Sequence, residues 1–244
     1  MRRLHWWQQL RCINALVWTV AFLGFVFANS VPKFYPLAIV LSEGQFYGSA
    51  FFVSSQIVLT AGHVLTKPVR ENFPMEYDVP QKNIQYFHKI KPLEKGEEIE
   101  IKVHGDKKVK AIVVYRSDVP DWGMAKTVEY KSPHWLELKS REPMLQEELF
   151  IRGAVEEQFV EIGVKTINPV FKLLWGENDE KETNFIAYVP SGYPGLSGSP
   201  VIDNNGFVVG IHVGSMRPTI GLATPVYMFY DTFVKELRNL YPSQ

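Results

Sequence analysis

The sequence predicts an all-β protein, a pair of small antiparallel β-barrels followed by one C-terminal α-helix. Three observations support this fold class. Glycine, valine, tyrosine, phenylalanine and proline are spread along all 244 residues, a composition typical of short strands separated by turns. Apolar runs of strand length recur in both halves of the chain, without a repeat at a solenoid period. Only the last segment spaces its apolar residues as a helix does.

The first 28 residues differ from the rest of the chain. Arginines precede the uncharged run CINALVWTVAFLGFVFA at 12–28, and Val26 and Ala28 are small residues where a signal peptidase reads. This layout predicts a cleaved secretory signal. The alternative is an uncleaved membrane anchor through residues 12–28, although the run is shorter than the ~20 residues of a bilayer span. Flanking arginines and tryptophans disfavour a buried core helix. The protein is therefore expected to be secreted or periplasmic, or held at a membrane by this segment.

Residues 34–131 are predicted to form the first barrel. The runs LAIVLS, FYGSAFFVS and QIVLTA are rich in β-branched and aromatic residues, which favour strands. The stretch EIEIKVHGDKKVKAIVVY alternates in polarity and turns at Gly105–Asp106, a hairpin signal. DWGMAKT supplies another short strand. The polar, proline-bearing stretch 67–83 is predicted to be a surface loop.

Residues 145–244 are predicted to form the second barrel and the helix. Six apolar runs follow one another: ELFIRGA, QFVEIGV, NFIAYV, PVID, FVVGIHV and GLATPV. The DNNG stretch at 203–206 predicts a tight turn between two of them. The tail places four apolar residues at helical spacing: Phe229, Phe233, Leu237 and Leu240. This spacing predicts an amphipathic helix packed on the body of the protein.

The composition argues against several classes of function. The chain has 26 basic and 26 acidic side chains and no net charge, so nucleic acid is not an expected partner, since its binders usually carry a basic excess. The single cysteine, Cys12, excludes an intramolecular disulfide. No two histidines stand at the i, i+4 spacing of a helical zinc site. Neither a metal nor another cofactor is therefore expected.

The stretch PGLSGSPV at 194–201 places glycine close on both sides of a serine, directly before a strand. Glycine lets the backbone adopt positive φ and lets another molecule come close. Successive amides in such a bend can face one concavity and bind a developing negative charge. Acyl transfer requires this combination of a hydroxyl and amide donors. Ser197, between Gly195 and Gly198, is a candidate nucleophile, although small-residue loops that only turn the chain are common.

A serine hydroxyl needs a base, and the base needs an orienting carboxylate. Of six histidines, His63 closes SSQIVLTAGH, where a predicted buried strand ends and a small-residue turn begins. Taken alone, it is better explained as a hydrogen-bonded core histidine. In RSDVPDWGMAKT, Asp121 opens a short apolar strand, whereas the competing Asp118 precedes Pro120 in a predicted loop.

Taken together, TAGH, DWGMA and GLSGSP, in that order, resemble the motifs of the chymotrypsin-like serine proteases. The match is closest in style to cysteine-free bacterial and viral branches, including the glutamyl-endopeptidase group, and covers residues 37–240. The resemblance implies two six-stranded antiparallel β-barrels with a cleft between them. It also implies a polypeptide substrate whose peptide bonds are hydrolysed through an acyl-enzyme. Three departures leave these expectations intact: Gly62 and Gly123 replace the usual alanine, and Leu196 replaces a polar residue.

The resemblance assigns a role to each motif residue. His63 is the general base and later the acid, Asp121 holds the imidazole tautomer, and Ser197 attacks the scissile carbonyl. The backbone amides of Gly195 and Ser197 form the oxyanion hole. The first barrel carries the histidine and the aspartate, and the second carries the serine.

The resemblance also implies a pocket for the substrate P1 side chain. Its substrate-binding residues are taken from GIHVGS and from the loop ahead of the serine: Gly192, His212, Val213 and Gly214. In the glutamyl-endopeptidase group and in viral proteases with a similar GIH run, the histidine receives an acidic or amide P1 side chain. Histidine can donate to either, so Glu or Gln at P1 is expected. Gly192 departs from the group's threonine, and a wall histidine tied to a neighbour is the alternative.

Three functions stay open at this point. The first is a secreted or membrane-anchored serine endopeptidase of the bacterial type. The second is the protease segment of a viral polyprotein, tethered by its N-terminal span. The third is a catalytically inactive homologue used as a binding module, which the intact motifs disfavour. The sequence specifies neither the natural substrate nor the oligomeric state.

Overall fold

Fourteen β-strands and one α-helix make up the part of the chain that the computed structural model describes, residues 36–42, 44–69, 89–175, 181–216 and 218–242. The strands of the first half are β1 (Leu37–Ser42), β2 (Gln45–Phe52), β3 (Ile57–Thr60), β4 (Thr66–Val69), β5 (Lys89–Pro92), β6 (Glu98–Val103), β7 (Lys107–Asp118) and β8 (Asp121–Thr127). Those of the second half are β9 (Glu148–Val155), β10 (Gln158–Trp175), β11 (Lys181–Val189), β12 (Pro200–Asp203), β13 (Val208–Met216) and β14 (Ile220–Pro225). Two short 3-10 helices span Gly62–Val64 and Val226–Met228, and helix α1 spans Tyr230–Leu240.

Twelve of these strands close into two six-stranded barrels. The first has the order β1-β2-β3-β8-β7-β6 and the second β10-β11-β14-β13-β12-β9. Neighbouring strands in both barrels are antiparallel, and β4 and β5 form a separate two-stranded sheet. Closure leaves no open edge in either barrel. The predicted fold class, two antiparallel barrels with a C-terminal helix, is confirmed.

Two predicted turns are also confirmed. Gly105 and Asp106 both have positive φ, 78° and 61°, and with His104 they form the three-residue loop of the hairpin in which Val103 of β6 pairs with Lys107 of β7. At the turn after β12, the Gly206 N–H donates to the Asp203 carbonyl at 3.0 Å. The loop predicted at 67–83 is wrong at its beginning, because β4 extends through Val69 and pairs with β5. Residues 70–83 lie outside the described residues.

Each barrel encloses its own apolar core. The first contains Phe51, Leu59 and Ile101, all fully buried, and the second contains Ile151 and Val201. Burial of this kind is the main favourable contribution to folding. The cores are what hold the strand ends, and therefore the loops between the barrels, in place.

Helix α1 packs on the first barrel through the residue that precedes it. Phe229 stacks on Trp122 at a ring separation of 4.7 Å, and Trp122 stacks in turn on Tyr115. Phe233, one turn later, is 7% exposed. Trp122 follows directly after Asp121, so this aromatic stack holds the start of β8 in place.

The barrels also share apolar contacts. Ile39 and Leu41 of β1 pack against Ala154 of β9, with Phe46 and Phe159 partly buried beside them. In the described ranges, no helix has the length and apolar character needed to cross a bilayer. The predicted signal or anchor at 1–28 lies outside those ranges, as does Cys12.

Candidate active site

The imidazole of His63 lies against the carboxylate of Asp121. Its Nδ1 is 2.6 Å from Oδ2, and the His63 backbone N–H donates to Oδ1 at 3.0 Å. A carboxylate accepts hydrogen bonds, so Nδ1 carries the proton of this pair and Nε2 keeps a free lone pair. The Asp121 side chain is 2% exposed and the His63 side chain 44%. The ring is held from the buried side and open on the other, as a general base must be.

The short 3-10 turn after β3 sets the position of His63. At Gly62, a β-carbon would stand 2.1 Å from the Ser117 carbonyl oxygen and 3.0 Å from Asp121 Oδ1. The guanidinium Nε of Arg116 donates to the Gly62 carbonyl at 2.9 Å. Glycine at this position is therefore dictated by how closely β7 and the carboxylate approach the turn.

The competing carboxylate, Asp118, does not reach the imidazole. Its side chain is 60% exposed and pairs with Arg116 at 2.5 Å. Asp121 instead begins β8 at the junction of the barrels, where its carbonyl accepts a hydrogen bond from Thr224 Oγ1 at 2.9 Å. Of the two candidates, only Asp121 is brought to His63.

The loop that carries Ser197 consists of two consecutive turns. The Leu196 N–H donates to the Tyr193 carbonyl at 3.1 Å, and the Ser199 N–H donates to the Leu196 carbonyl at 2.9 Å. Gly195 and Gly198, each the third residue of its turn, have φ values of 98° and 87°. A type II turn requires positive φ at that position. This requirement explains why glycine stands on both sides of the candidate serine.

The loop leaves two amides free. Within the described residues, the N–H groups of Gly195 and Ser197 donate to no protein acceptor, whereas their carbonyls do accept hydrogen bonds. The Ser49 hydroxyl donates to the Gly195 carbonyl at 3.0 Å, and the Ser49 N–H donates to the Ser197 carbonyl at 2.7 Å. Unpaired amides on a tightly turned backbone can bind an anion.

The Ser197 loop and the His63 turn meet at Gly48 of β2. A β-carbon on Gly48 would stand 2.8 Å from the Ser197 carbonyl oxygen and 2.9 Å from Cγ2 of Val64, the residue after His63. The hydrogen bonds of the described residues do not include one between the Ser197 hydroxyl and the imidazole. Catalytic hydrogen bonds are often long until a substrate binds.

His212, the histidine of the predicted P1 pocket, is buried. His212 is 2% exposed, and its Nδ1 is hydrogen-bonded to the Tyr188 hydroxyl. Burial, with a smaller contribution from the charge on His63, lowers the pKa of His212 from 6.5 to about 4. Burial also raises the pKa of Tyr188 well above its usual value. The phenol therefore stays protonated, and its hydroxyl lies within hydrogen-bond reach of both Nδ1 of the neutral imidazole and the Leu222 carbonyl, the latter at 3.4 Å.

Gly192 lies directly against the His212 ring. A β-carbon on Gly192 would stand 2.8 Å from His212 Nε2. The pairing of β13 with β14 shifts between His212 and Gly214, so that Val213 is an extra residue on its strand. Such a bulge bends the strand locally. Val213 is buried, whereas Gly214 is partly exposed.

No group of three or more histidine, cysteine, aspartate or glutamate side chains in the described ranges is arranged to hold a metal ion. The candidate site contains instead a hydroxyl, an imidazole, a carboxylate and two free amides. This set of groups is suited to acyl transfer.

A sequence model of the trypsin-like peptidase domain matches residues 48–211. The chain belongs to the trypsin-like peptidase family. The match extends from the glycine beside the Ser197 loop to the residue before His212, so it includes all three motif residues of this peptidase. No curated protein matches the sequence.

Solved structures of proteases share the fold of this trypsin-like peptidase. The active form of the Rv3671c protease from M. tuberculosis is 17% identical and has a TM-score of 0.62, with 82% of this chain and 81% of that chain covered. The serine endoprotease from Yersinia pestis is 15% identical and has a TM-score of 0.56, with 84% and 63% covered. At these identities the likeness concerns the chymotrypsin-like fold.

Sequence reasoning missed three residues that support the site. Ser49, Thr224 and Tyr188 hold the serine loop, the Asp121 backbone and the His212 ring. Gly48-Ser49-Ala50 interrupts the aromatic run of β2 with small residues, which was a usable signal of a close approach. Tyr188 and Thr224 carried no local signal, because their partners are 24 and 103 residues away.

Proposed function

We propose that this chain is a serine endopeptidase with His63, Asp121 and Ser197 as its catalytic residues. The observation that carries the proposal is the hydrogen-bonded pair of His63 and Asp121 at the junction of the two barrels. It lies beside a loop whose glycines leave two amides unpaired. Family membership supplies the reaction class, a peptidase.

The geometry supports the following sequence of steps. His63 Nε2 takes the Ser197 hydroxyl proton as Oγ forms a bond to the scissile carbonyl carbon. The amides of Gly195 and Ser197 donate to the resulting oxyanion, and each such donor is worth about 3–4 kcal/mol of the barrier. The imidazolium, stabilised by Asp121, then protonates the leaving amine as the C–N bond breaks. Water, deprotonated by the same nitrogen, releases the acyl group.

A fluorophosphonate probe tests the nucleophile. The folded wild-type protein is expected to become labelled and Ser197→Ala is expected to remain unlabelled. Ser199→Ala is the matched control, because that hydroxyl is buried two residues away and has no hydrogen-bond partner among the described residues. It should be labelled normally. A folded wild type that resists the probe would support an inactive binding module instead.

For the substrate, we infer Gln or Glu at P1. The support is the buried His212, whose Nε2 lies against Gly192 and, in the tautomer protonated there, donates to a side-chain oxygen. Val213 and Gly214 would continue the pocket wall along β13. A peptide library with P1 varied provides the test. Preference for Arg, Lys or a large aromatic residue would exclude this pocket assignment.

For the N-terminal segment, we propose removal of residues 1–28 as a secretory signal, with retention as a membrane anchor as the alternative. Mature protein would then consist of a first barrel within 34–131 and a second within 145–244. Sequencing the N-terminus of the protein recovered from its native compartment distinguishes the two. A new amine near Asn29 supports secretion, and an intact Met1 supports an anchor.

A further inference from the structure

Ser49 of β2 is fully buried where the first barrel meets the serine loop. Its hydroxyl donates to the Gly195 carbonyl at 3.0 Å and accepts from the Ala154 N–H at 2.8 Å. Its backbone N–H donates to the Ser197 carbonyl at 2.7 Å, and its carbonyl accepts from Thr60 Oγ1 at 2.7 Å. One residue thus connects the first barrel, the second barrel and both candidate oxyanion positions.

These bonds fix the peptide units on both sides of the free Ser197 amide. In the peptide unit before it, the Gly195 carbonyl accepts a hydrogen bond from the Ser49 hydroxyl, and the Leu196 N–H donates to the Tyr193 carbonyl. In the peptide unit after it, the Ser197 carbonyl accepts a hydrogen bond from the Ser49 N–H, and the Gly198 N–H donates to the His212 carbonyl at 2.8 Å. Because both flanking units are held at both ends, the N–H between them has a fixed direction.

The surroundings leave Ser49 little freedom. A β-carbon on Gly198 would stand 2.0 Å from the Ser49 carbonyl oxygen, and one on Gly153 would stand 2.8 Å from Ser49 Oγ. Glycine at both positions allows the strand and the loop to come this close. The Ser49 hydroxyl is therefore enclosed by backbone on two sides, and its hydrogen bonds to Gly195 and Ala154 set its orientation.

We propose that Ser49 is a positioning residue for the oxyanion hole: by binding the Gly195 carbonyl, its hydroxyl fixes the direction of the Gly195 and Ser197 amides. It touches neither the substrate nor the reacting atoms. The inference rests on the proposed function of Ser197. A donor that is misdirected rather than removed should cost less than the ~10²–10³-fold loss seen when a donor is deleted.

The test compares Ser49→Ala with a matched buried hydroxyl. Thr127 is also fully buried, and its Oγ1 donates to the Tyr130 carbonyl at 2.6 Å, at the opposite end of β8 from Asp121. The second-order rate of Ser197 phosphonylation is expected to fall about 10- to 100-fold in Ser49→Ala and less than about 3-fold in Thr127→Val. Ser49→Cys keeps a weak donor without branching, and its rate should be intermediate.

A second readout separates positioning from general loosening. A chloromethyl ketone labelled with ¹³C at the carbonyl forms a hemiketal with Ser197 Oγ, while its methylene alkylates His63 Nε2 and chloride leaves. The oxygen of this adduct occupies the oxyanion position, and its pKa is read from the ¹³C shift. In Ser49→Ala and Ser49→Cys, this pKa is expected to rise, since the anion loses aligned donors. In Thr127→Val it should match wild type.

Each result decides the inference. Unchanged phosphonylation in Ser49→Ala, with a reactive wild type, overturns the role of Ser49 and leaves the proposed function intact. A slower rate with an unchanged adduct pKa reduces Ser49 to a structural residue and also overturns it. A wild type without reactive Ser197 overturns the proposed function and the inference together.

Discussion

At position 62, the backbone geometry decides which residue is tolerated. The family resemblance would place alanine there, yet a β-carbon would meet the Ser117 carbonyl at 2.1 Å. That oxygen belongs to the main chain of β7, so it cannot move aside as a flexible side chain would. The small residue lets the His63 turn lie directly on the strand that precedes Asp121, the proposed catalytic carboxylate.

Gly62→Ala is therefore expected to impair the protein although alanine is the family's usual residue. Overpacking should destabilise it by about 1–3 kcal/mol, and displacement of His63 should lower kcat/KM at least about 10-fold. Gly163→Ala is the control, since the nearest atom to its added carbon would be 3.9 Å away. Denaturant unfolding and peptide hydrolysis measure both effects. Equal behaviour of the two variants would contradict the role given to Gly62.

The neutral state of His212 has a consequence for specificity. With a pKa of about 4, the imidazole offers one N–H donor at neutral pH but no positive charge. A Gln amide needs only the donor, whereas a Glu carboxylate must be buried without a counter-charge, which is costly. The pocket is therefore expected to favour Gln near pH 7.

The Gln-to-Glu ratio of kcat/KM should accordingly depend on pH. At pH 7.5 we expect at least about a 10-fold preference for P1 Gln, since a free Glu side chain with a pKa of ~4.3 is ionised there. As the pH is lowered toward 5, protonation of the substrate Glu should reduce the preference. Taking the ratio removes every effect of pH on steps that the two substrates share. Two peptides that differ only at P1 suffice, and a Glu preference at pH 7.5 would exclude a neutral His212.

At the scale of elements, the segment between the barrels is tied to the turn after β12. The Arg141 guanidinium bonds Glu147 at 2.5 and 3.0 Å and Asp203 at 2.8 Å. The hydrogen bond from Arg141 lowers the pKa of Glu147. Burial alone would raise the pKa of Asp203, but Arg141 and the N–H groups of Phe207 and Asn205 outweigh it and lower that pKa as well.

Both carboxyl pKa values are depressed by folding, so their stabilising contribution is full above the unfolded values of 4.5 and 3.8 and is lost as the pH falls through the folded ones. Arg141→Met should therefore cost about 3 kcal/mol at pH 7 and distinctly less at about pH 2, because protonation of the two carboxyls in the folded protein removes their attraction to the guanidinium. Denaturant unfolding at both pH values measures this.

Lys172→Met provides the comparison for Arg141→Met. Its exposed pair with Glu182 spans 2.9 Å, and removing such a surface pair should change the free energy of unfolding little at either pH. A loss in Arg141→Met that is the same at both pH values would contradict the assignment of the two carboxylates.

Much of the element level could be predicted from sequence, because it depends on local chemistry. The Gly105–Asp106 hairpin follows from positive φ at two adjacent residues, and the Ser197 loop follows from its glycines. The extension of β4 through Val69 was not predictable, since Lys67 and Pro68 are typical of a loop and their strand partners in β5 lie at 89–92, distant in sequence. The hydrogen bond between Arg141 and Asp203 was equally unpredictable, because the two residues are 62 positions apart in the sequence.

Across the whole molecule, the two barrels are joined by buried bonds as well as by apolar contacts. Thr224 of β14 donates to the Asp121 carbonyl, and Ser49 of β2 binds both Ala154 and Gly195. On the surface, Lys102 bonds Glu157 at 2.9 Å. Buried polar groups that lose their partners are costly, so opening the junction between the barrels would leave several unpaired at once.

This coupling predicts that the barrels unfold together. Thr127→Val changes only the first barrel, by about 1–3 kcal/mol through its lost hydrogen bonds. In a cooperative unit, the slowest-exchanging amides of both barrels should then lose equal protection, for instance Leu59 in β3 and Ile151 in β9. Native-state hydrogen exchange resolved by NMR measures the two values side by side. If Ile151 kept its protection while Leu59 lost it, the barrels would be separate folding units, and the serine loop could not rely on Ser49 for a fixed orientation.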